Sequence, residues 1–153
     1  MPNWCMNSVT IFHEDRGEIS KLAKSLESME EYTFLRTLDE SYEFRESHEV
    51  DWWMENDDEN TIIASFYTAW SPPLTVYENL EERGFEVIAE FYEPGMDFAG
   101  YYEDGEEVTY QLSDFDDEWF LEEEDGIRLN DCWDILSGRD DTDWEEISLE
   151  EDE

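Results

Sequence analysis

From residue 3 the chain alternates. In NWCMNSVTIF (3–12), Val9 and Ile11 are set against Ser8 and Thr10, the period-two pattern of a half-buried strand. The period then changes. Asp15 and Glu18 have capping-box spacing, and Ile19, Leu22, Ala23, Leu26 and Met29 follow at helical intervals, which predicts an amphipathic helix. YTFLRTL, within residues 31–48, reads as a short strand or an extended connection. EVDWWM (49–54) and TIIASFYTAW (61–70) read as two strands joined by the polar turn ENDDEN (55–60). SPPLTVYENLEERG (71–84) carries both ends of a helix, with Ser71 as N-cap, Pro72 at the first position and Gly84 as the stop. FEVIAEFY (85–92) sets Phe85, Val87, Ala89 and Phe91 against Glu86 and Glu90, another half-buried strand, and EPGMDF (93–98) is a turn. FAGYY (98–102) and EVTYQL (107–112) flank Asp104-Gly105 and form a hairpin, with Val108, Tyr110 and Leu112 on one face.

This order predicts an α+β fold: a ferredoxin-like βαββαβ antiparallel sheet with two helices on one face, an appended β-hairpin and an acidic C-terminal extension. Residues 1–112 make the domain. After them the composition shifts: residues 113–153 hold 19 acids against 2 Arg, yet Trp119, Phe120, Ile127, Leu129, Trp133, Ile135, Leu136 and Trp144 are scattered through them. A disordered tail has few such residues. Residues 113–137 are therefore expected to fold back on the domain, with NDCWDIL (130–136) a helical turn, and 138–153 to form a partly frayed acidic tail.

Charge changes the picture most. The chain has 46 acids and 8 Lys and Arg, a net charge of −38, while 16% of its residues are aromatic. Self-repulsion of that size opposes compaction, so folding must rest on dense aromatic burial. Affinity for nucleic acid or anionic lipid comes from Lys and Arg, so neither is an expected partner; the sign points to basic ones. Cys5 and Cys132 are far apart, and the chain shows no N-terminal signal and no apolar run of membrane-spanning length, so a soluble cytoplasmic protein with reduced thiols is expected.

The candidate chemistries are thin. Cys5 and His13 lie roughly 26 Å apart along one strand, too far to act as nucleophile and base, and Cys5 with His48 depends on tertiary placement. Two Cys and two His show no zinc-ligand spacing. With Gly126 or Gly105 at position 6 of an EF-hand loop, the first residue becomes Leu121 or Gly100, and both registers fail. Close carboxylate pairs are unavoidable among so many acids, so they do not indicate a glycosidase. No cofactor is expected. Trp70 is read as the end of a buried strand and Ser71-Pro72-Pro73 as a helix start.

Three segments, MPNWC with Asn7, then TAWSPP (68–73), then YEPGMDFAGYYEDGEEV (92–108), occur in order. In them the chain resembles the YubB-like ferredoxin-like domain family of plasmid and phage proteins over about residues 1–112. The resemblance implies the fold and residence on a mobile genetic element; the family has no settled activity. Where its members carry a Trp-Gly-Thr-Lys-Trp-Asp-type segment, this chain has DWWMENDDEN (51–60), and nothing in the family corresponds to residues 113–153.

What remains is the acidity itself. A salt-adapted surface spreads its acids evenly, whereas here they cluster at 55–59, 114–125 and 140–153. In DFDDEWFLEEED (114–125) eight of twelve residues are acids and the others are large and apolar. Phe115 and Trp119, at i and i+4, are expected to anchor one face with Phe120, leaving the carboxylates on the other. The expected function is a non-enzymatic inhibitor that mimics DNA. It would block a basic DNA-binding protein of the host, in the bacterial cytoplasm: a restriction enzyme, a CRISPR effector or a nuclease complex. The expected contact residues are Asp57, Asp58, Glu59, Asp114, Asp116, Asp117, Glu118, Glu122, Glu123, Glu124 and Asp125. The alternative is a small enzyme or acidic binding module of a phage or plasmid, with a pocket near Trp4-Cys5 and TAWSPP.

Overall fold

The computed structural model describes residues 3–55 and 58–139, the side chains of Asp58 and Glu59 excepted. The chain divides into two compact units, Met1–Tyr110 and Gln111–Glu153, close to the boundary expected from composition. The proposed contact residue Asp57 and the acidic tail from residue 140 lie outside the described residues.

The first unit is α+β. Its strands are β1 (Trp4–Phe12), β2 (His48–Glu55), β3 (Asp58–Ala69), β4 (Glu86–Glu93), β5 (Phe98–Glu103) and β6 (Glu106–Gln111), in the sheet order β2-β3-β1-β4-β5-β6. The pairings of β1 with β3 and β4, of β2 with β3 and of β4 with β5 are all antiparallel. Register follows the alternation read in the sequence: Val9 faces Ala64 on one side and Ala89 on the other, and Ile11 faces Ile62 and Val87. All six are fully buried, while Ser8 and Thr10 between them are only half-buried.

One face of the sheet carries the core. The buried residues Ile19, Leu22 and Leu26 of α1 (Arg16–Glu27) and Val76, Tyr77 and Leu80 of α3 (Leu74–Glu82) join Val9, Ile11, Ile62, Phe66 and Val87 in a single cluster. Burying a side chain of this size stabilises by about 1.5–3 kcal/mol. A third helix joins the same cluster. YTFLRTL, expected to be extended, forms α2 (Phe34–Leu38), with Phe34, Leu35 and Leu38 buried. Its N-terminus is satisfied from a distance: the Glu46 carboxylate accepts from the N–H groups of Leu35 and Arg36.

The helix ends differ in how local they are. At α1, Asp15 accepts from Gly17 N–H at 2.8 Å, but its own N–H donates to His13 Nδ1 at 2.9 Å, and Glu18 pairs with Lys21 at 3.3 Å. The expected capping box is thus half made. At α3, Gly84 has φ +94°, Gly84 N–H donates to Glu81 O and Phe85 N–H to Leu80 O, both at 3.0 Å, the double bond of a Schellman stop. The other end of α3 corrects the sequence reading. The helix begins at Leu74, not beside Ser71, because residues 68–71 are committed to a tight turn described below. Asp104 and Gly105, with φ of 53° and 78°, make the hairpin turn between β5 and β6 as expected.

In the second unit a 3-10 turn (Leu112–Asp114) precedes α4 (Asp117–Glu122) and α5 (Glu124–Trp133). The helical turn expected at 130–136 belongs to this longer α5, which ends as Asp134 takes a left-handed conformation, φ 53°. Residues 135–139 are helical again.

Candidate functional site

The segment 114–125 is a folded acidic surface. Asp116 caps α4, its side chain accepting from Trp119 N–H at 3.2 Å, and Asp117 and Glu118 lie in the first turn, where the helix dipole favours negative charge. Phe115 lies outside the helix, so the expected helical i, i+4 pairing is corrected. Its ring instead stacks on Trp119 across the cap, with centroids 4.2 Å apart, and Trp119 meets Phe120 edge-on at 5.0 Å. Phe120 is buried; Phe115 and Trp119 are half-buried.

Two residues not foreseen hold this surface. Gly126 lets α5 approach α4: a Cβ there would stand 2.1 Å from Trp119 O. Arg139 places its guanidinium over the Phe120 ring at 4.9 Å, donates to Phe115 O at 2.9 Å and stands 3.7 Å from the Asp117 carboxylate. Asp114, Asp116, Asp117, Glu118, Glu122, Glu123 and Glu124 are exposed, and Asp125 is half-buried. Leu121 and Ile127 are exposed among them. Of the second expected cluster, Asp57 and the side chains of Asp58 and Glu59 lie outside the described residues, so the structure brings only the 114–125 acids together.

The three sequence motifs meet at one end of the first unit. Trp70 N–H donates to Asn3 O at 2.8 Å; Asn7 Nδ2 donates to Thr68 Oγ1 at 2.8 Å and to Cys5 O at 3.1 Å; Thr68 Oγ1 donates to Ser71 O at 2.7 Å. A Cβ on Gly95 would stand 2.8 Å from the Asn3 side chain. Glu93 is fully buried, with one carboxylate oxygen accepting from Met96 N–H and Oε1 lacking a hydrogen-bond partner among the described residues. Trp70 has φ +71°, and Ser71 N–H donates back to Ala69 O at 2.8 Å, which makes a γ-turn about a bulky residue. Such turns are rare and strained, at about 1–3 kcal/mol.

Beside this turn lies a cavity of about 920 Å³, lined among others by Tyr42, Phe44, Arg45, Trp70, Pro72 and Pro73. Tyr42, Phe44 and Arg45 come from the connection after α2, for which the sequence offered no functional signal.

Cys5 is fully buried, and its thiol is pushed up to about 12, first by burial and then by the nearby Glu93 carboxylate. It is protonated at neutral pH and packs as a small apolar side chain. His48 stacks on Trp4 with ring centroids 5.4 Å apart. Both cysteines are free thiols. Among the described residues no group of three or more His, Cys, Asp or Glu is placed to hold a metal ion, and no helix is long and apolar enough to cross a membrane. Comparison of the chain with protein-family models, curated proteins and solved structures found no match.

Proposed function

We propose that the protein is a non-enzymatic inhibitor from a mobile genetic element, which imitates duplex DNA and occupies the basic groove of a host DNA-binding protein in the bacterial cytoplasm. In this reading the first unit is a ferredoxin-like domain related to the YubB-like proteins. The strand order β2-β3-β1-β4, with β5 and β6 added beyond β4, suits that assignment. The target is a restriction enzyme, a CRISPR effector or a nuclease complex.

One observation carries the proposal: seven exposed carboxylates between Asp114 and Glu124 stand on short helices fixed by a cap, an aromatic stack and a glycine contact. Charges carried on a folded backbone lose less ordering entropy on binding than those of a floppy acidic tail. Duplex DNA carries one charge per roughly 1.7 Å of axis, so 38 charges correspond at most to about 65 Å of duplex. Exposed Leu121 and Ile127 offer apolar contacts amid the carboxylates, where a protein partner gains specificity that a polyanion alone does not give.

The test is affinity capture from a bacterial lysate with the full chain, eluted in salt steps. A stoichiometric DNA-binding partner is expected, displaced by duplex DNA and lost between low and moderate salt. Asp114, Glu118, Glu122 and Glu123 are the acids to reverse together to Lys, since Asp116 caps α4 and Asp117 faces Arg139. The quadruple variant should lose at least 100-fold in partner affinity while keeping its circular dichroism. Capture that withstands DNA competition, or a variant that binds as before, overturns the reading.

A further inference from the structure

The cavity beside Trp70 has no part in DNA mimicry, and its chemistry has the opposite sign. Its volume of about 920 Å³ lies in the range of small-ligand sites. Its walls combine aromatic and proline rings with Leu74, Ala69 and the hydroxyl residues Thr68, Ser71 and Thr75, and among the described residues Arg45 is the one charged side chain in the lining. Phe44 is 73% exposed and Trp70 55%, so two of the largest apolar side chains left uncovered in the first unit open onto the same hollow.

Arg45 is the telling residue. In a chain of 46 acids its guanidinium has neither an ion pair nor a hydrogen bond among the described residues, although Glu46 is its neighbour in sequence. Glu46 is engaged elsewhere: its carboxylate accepts from the N–H groups of Leu35, Arg36 and Ser47 and pairs with Arg36 Nε at 3.4 Å. Tyr42 donates its hydroxyl to Arg45 O at 2.9 Å and so fixes the backbone from which the cation projects. The backbone of Trp70 is held by its γ-turn and by the bond to Asn3 O, so the base from which its ring projects is fixed before any ligand arrives. Strain retained by surrounding bonds is characteristic of binding sites.

We propose that this cavity binds a small planar aromatic compound carrying one oxyanion, with the ring against Trp70 and Phe44 and the carboxylate or phosphate on Arg45. A planar guanidinium matches either oxyanion in a two-point contact. The nearby Glu46 carboxylate, close enough to act on Tyr42, is already paired with Arg36, and the field of more distant carboxylates is screened beyond about 8 Å at physiological salt.

Three probes of one ring system separate the outcomes: 2-naphthoate, 2-naphthyl phosphate and 2-naphthylmethylammonium, titrated into the full-length 15N-labelled protein while the Trp70 indole N–H is followed by NMR. The anions should bind at least tenfold more tightly than the cation and shift the Trp70 signal. Arg45→Gln, at an exposed position, should weaken the anions at least tenfold, leave the cation unchanged and leave the melting temperature in place. The tighter of the two anions identifies the oxyanion source. A cation that binds as well as the anions, or anion binding indifferent to Arg45→Gln, overturns the proposal. The outcome is independent of partner capture, since Arg45 and Trp70 are not among the acids reversed there.

Discussion

The two units hold themselves together in opposite ways. In residues 1–110 the sheet and three helices share one cluster of about twenty buried side chains, and most of that stability is apolar area removed from water. In the described part of the second unit the buried apolar side chains are few: Leu112, Phe120, Leu129 and Ile135. There the fixed points are single contacts, namely the Asp116 cap, the Phe115–Trp119 stack, the Arg139 guanidinium and the Gly126 approach. A surface dense in carboxylates is here kept in shape by a handful of close contacts. A core built on area is more forgiving of one lost contact.

The strongest way to break this comparison is to fill the two tight glycines. Gly126→Ala would drive a methyl against Trp119 O, a backbone atom that cannot step aside. Gly100→Ala would do the same against Val108 O, 2.0 Å away, between β5 and β6. Each should cost about 3 kcal/mol or more. Hydrogen exchange on the full chain reads where. Gly126→Ala should unprotect the amides of α4 and α5 and spare β1 and β3, with loss of the captured partner. Gly100→Ala should loosen β5 and β6 and leave α4 and α5 as they were. If either substitution melts both units together, they are not separately held.

Alkaline pH sharpens the contrast next. The first unit buries Cys5 and Tyr77, and burial raises both groups above their ordinary values, Cys5 from 9.0 to about 12. Below pH 9 the thiol is protonated folded or unfolded, and its contribution is fully present. Between pH 9 and 12 the unfolded chain ionises first, so stability falls as pH rises, by about 4 kcal/mol across the window for Cys5 alone. Tyr77 adds to the loss above pH 10. Cys5→Ala should make the stability slope between pH 9 and 12 shallower, most clearly below pH 10, whatever it costs at neutral pH. Urea melts at pH 8, 9.5 and 11 measure the slope; an unchanged slope in the variant refutes the assignment. Residues 111–153 contain no tyrosine, and their one cysteine, Cys132, is exposed.

The same contrast explains what the sequence disclosed. The strands were legible because Val9 and Ile11 alternate with Ser8 and Thr10, and because Phe85, Val87, Ala89 and Phe91 repeat at period two with Glu86 and Glu90 between them, and the stop of α3 because Gly84 takes a conformation other residues avoid. α2 was not legible, because its N-terminus is completed by Glu46, a carboxylate from beyond the helix. Ser71 misled because Thr68 takes its carbonyl and the γ-turn at Trp70 takes its N–H. In the acidic segment the charges and the aromatic anchors were visible, but not Gly126 or Arg139, whose roles depend on which backbone each meets. A pocket near TAWSPP was an alternative reading of the sequence, but the opposite wall of the cavity was not legible. Tyr42, Phe44 and Arg45 lie in a stretch without periodicity, in the connection after α2.

The smallest expected effect is also the most discriminating, because it predicts a difference in sign. Asp15 and Asp116 are both N-caps with side-chain oxygens on helix N–H groups. Replacing either by Ala should cost about 1 kcal/mol. Replacing either by Asn keeps an accepting oxygen and removes only the charge. At Asp15 that charge lies between Glu14 and Arg16 in sequence, where the two neighbours offset, and meets the dipole of a twelve-residue helix, so Asp15→Asn should lose a few tenths of a kcal/mol. At Asp116 the sequence neighbours are Asp114, Asp117 and Glu118, and α4 has only six residues. Relief of like-charge repulsion among these acids should there cancel or exceed the lost dipole term. Asp116→Asn is therefore expected to equal or slightly exceed the parent in thermal stability, while weakening partner capture. A melting temperature that falls as far with Asn as with Ala at position 116 would mean that the charge itself stabilises α4. The acidic surface would then be part of what folds the unit rather than a load that its few contacts restrain.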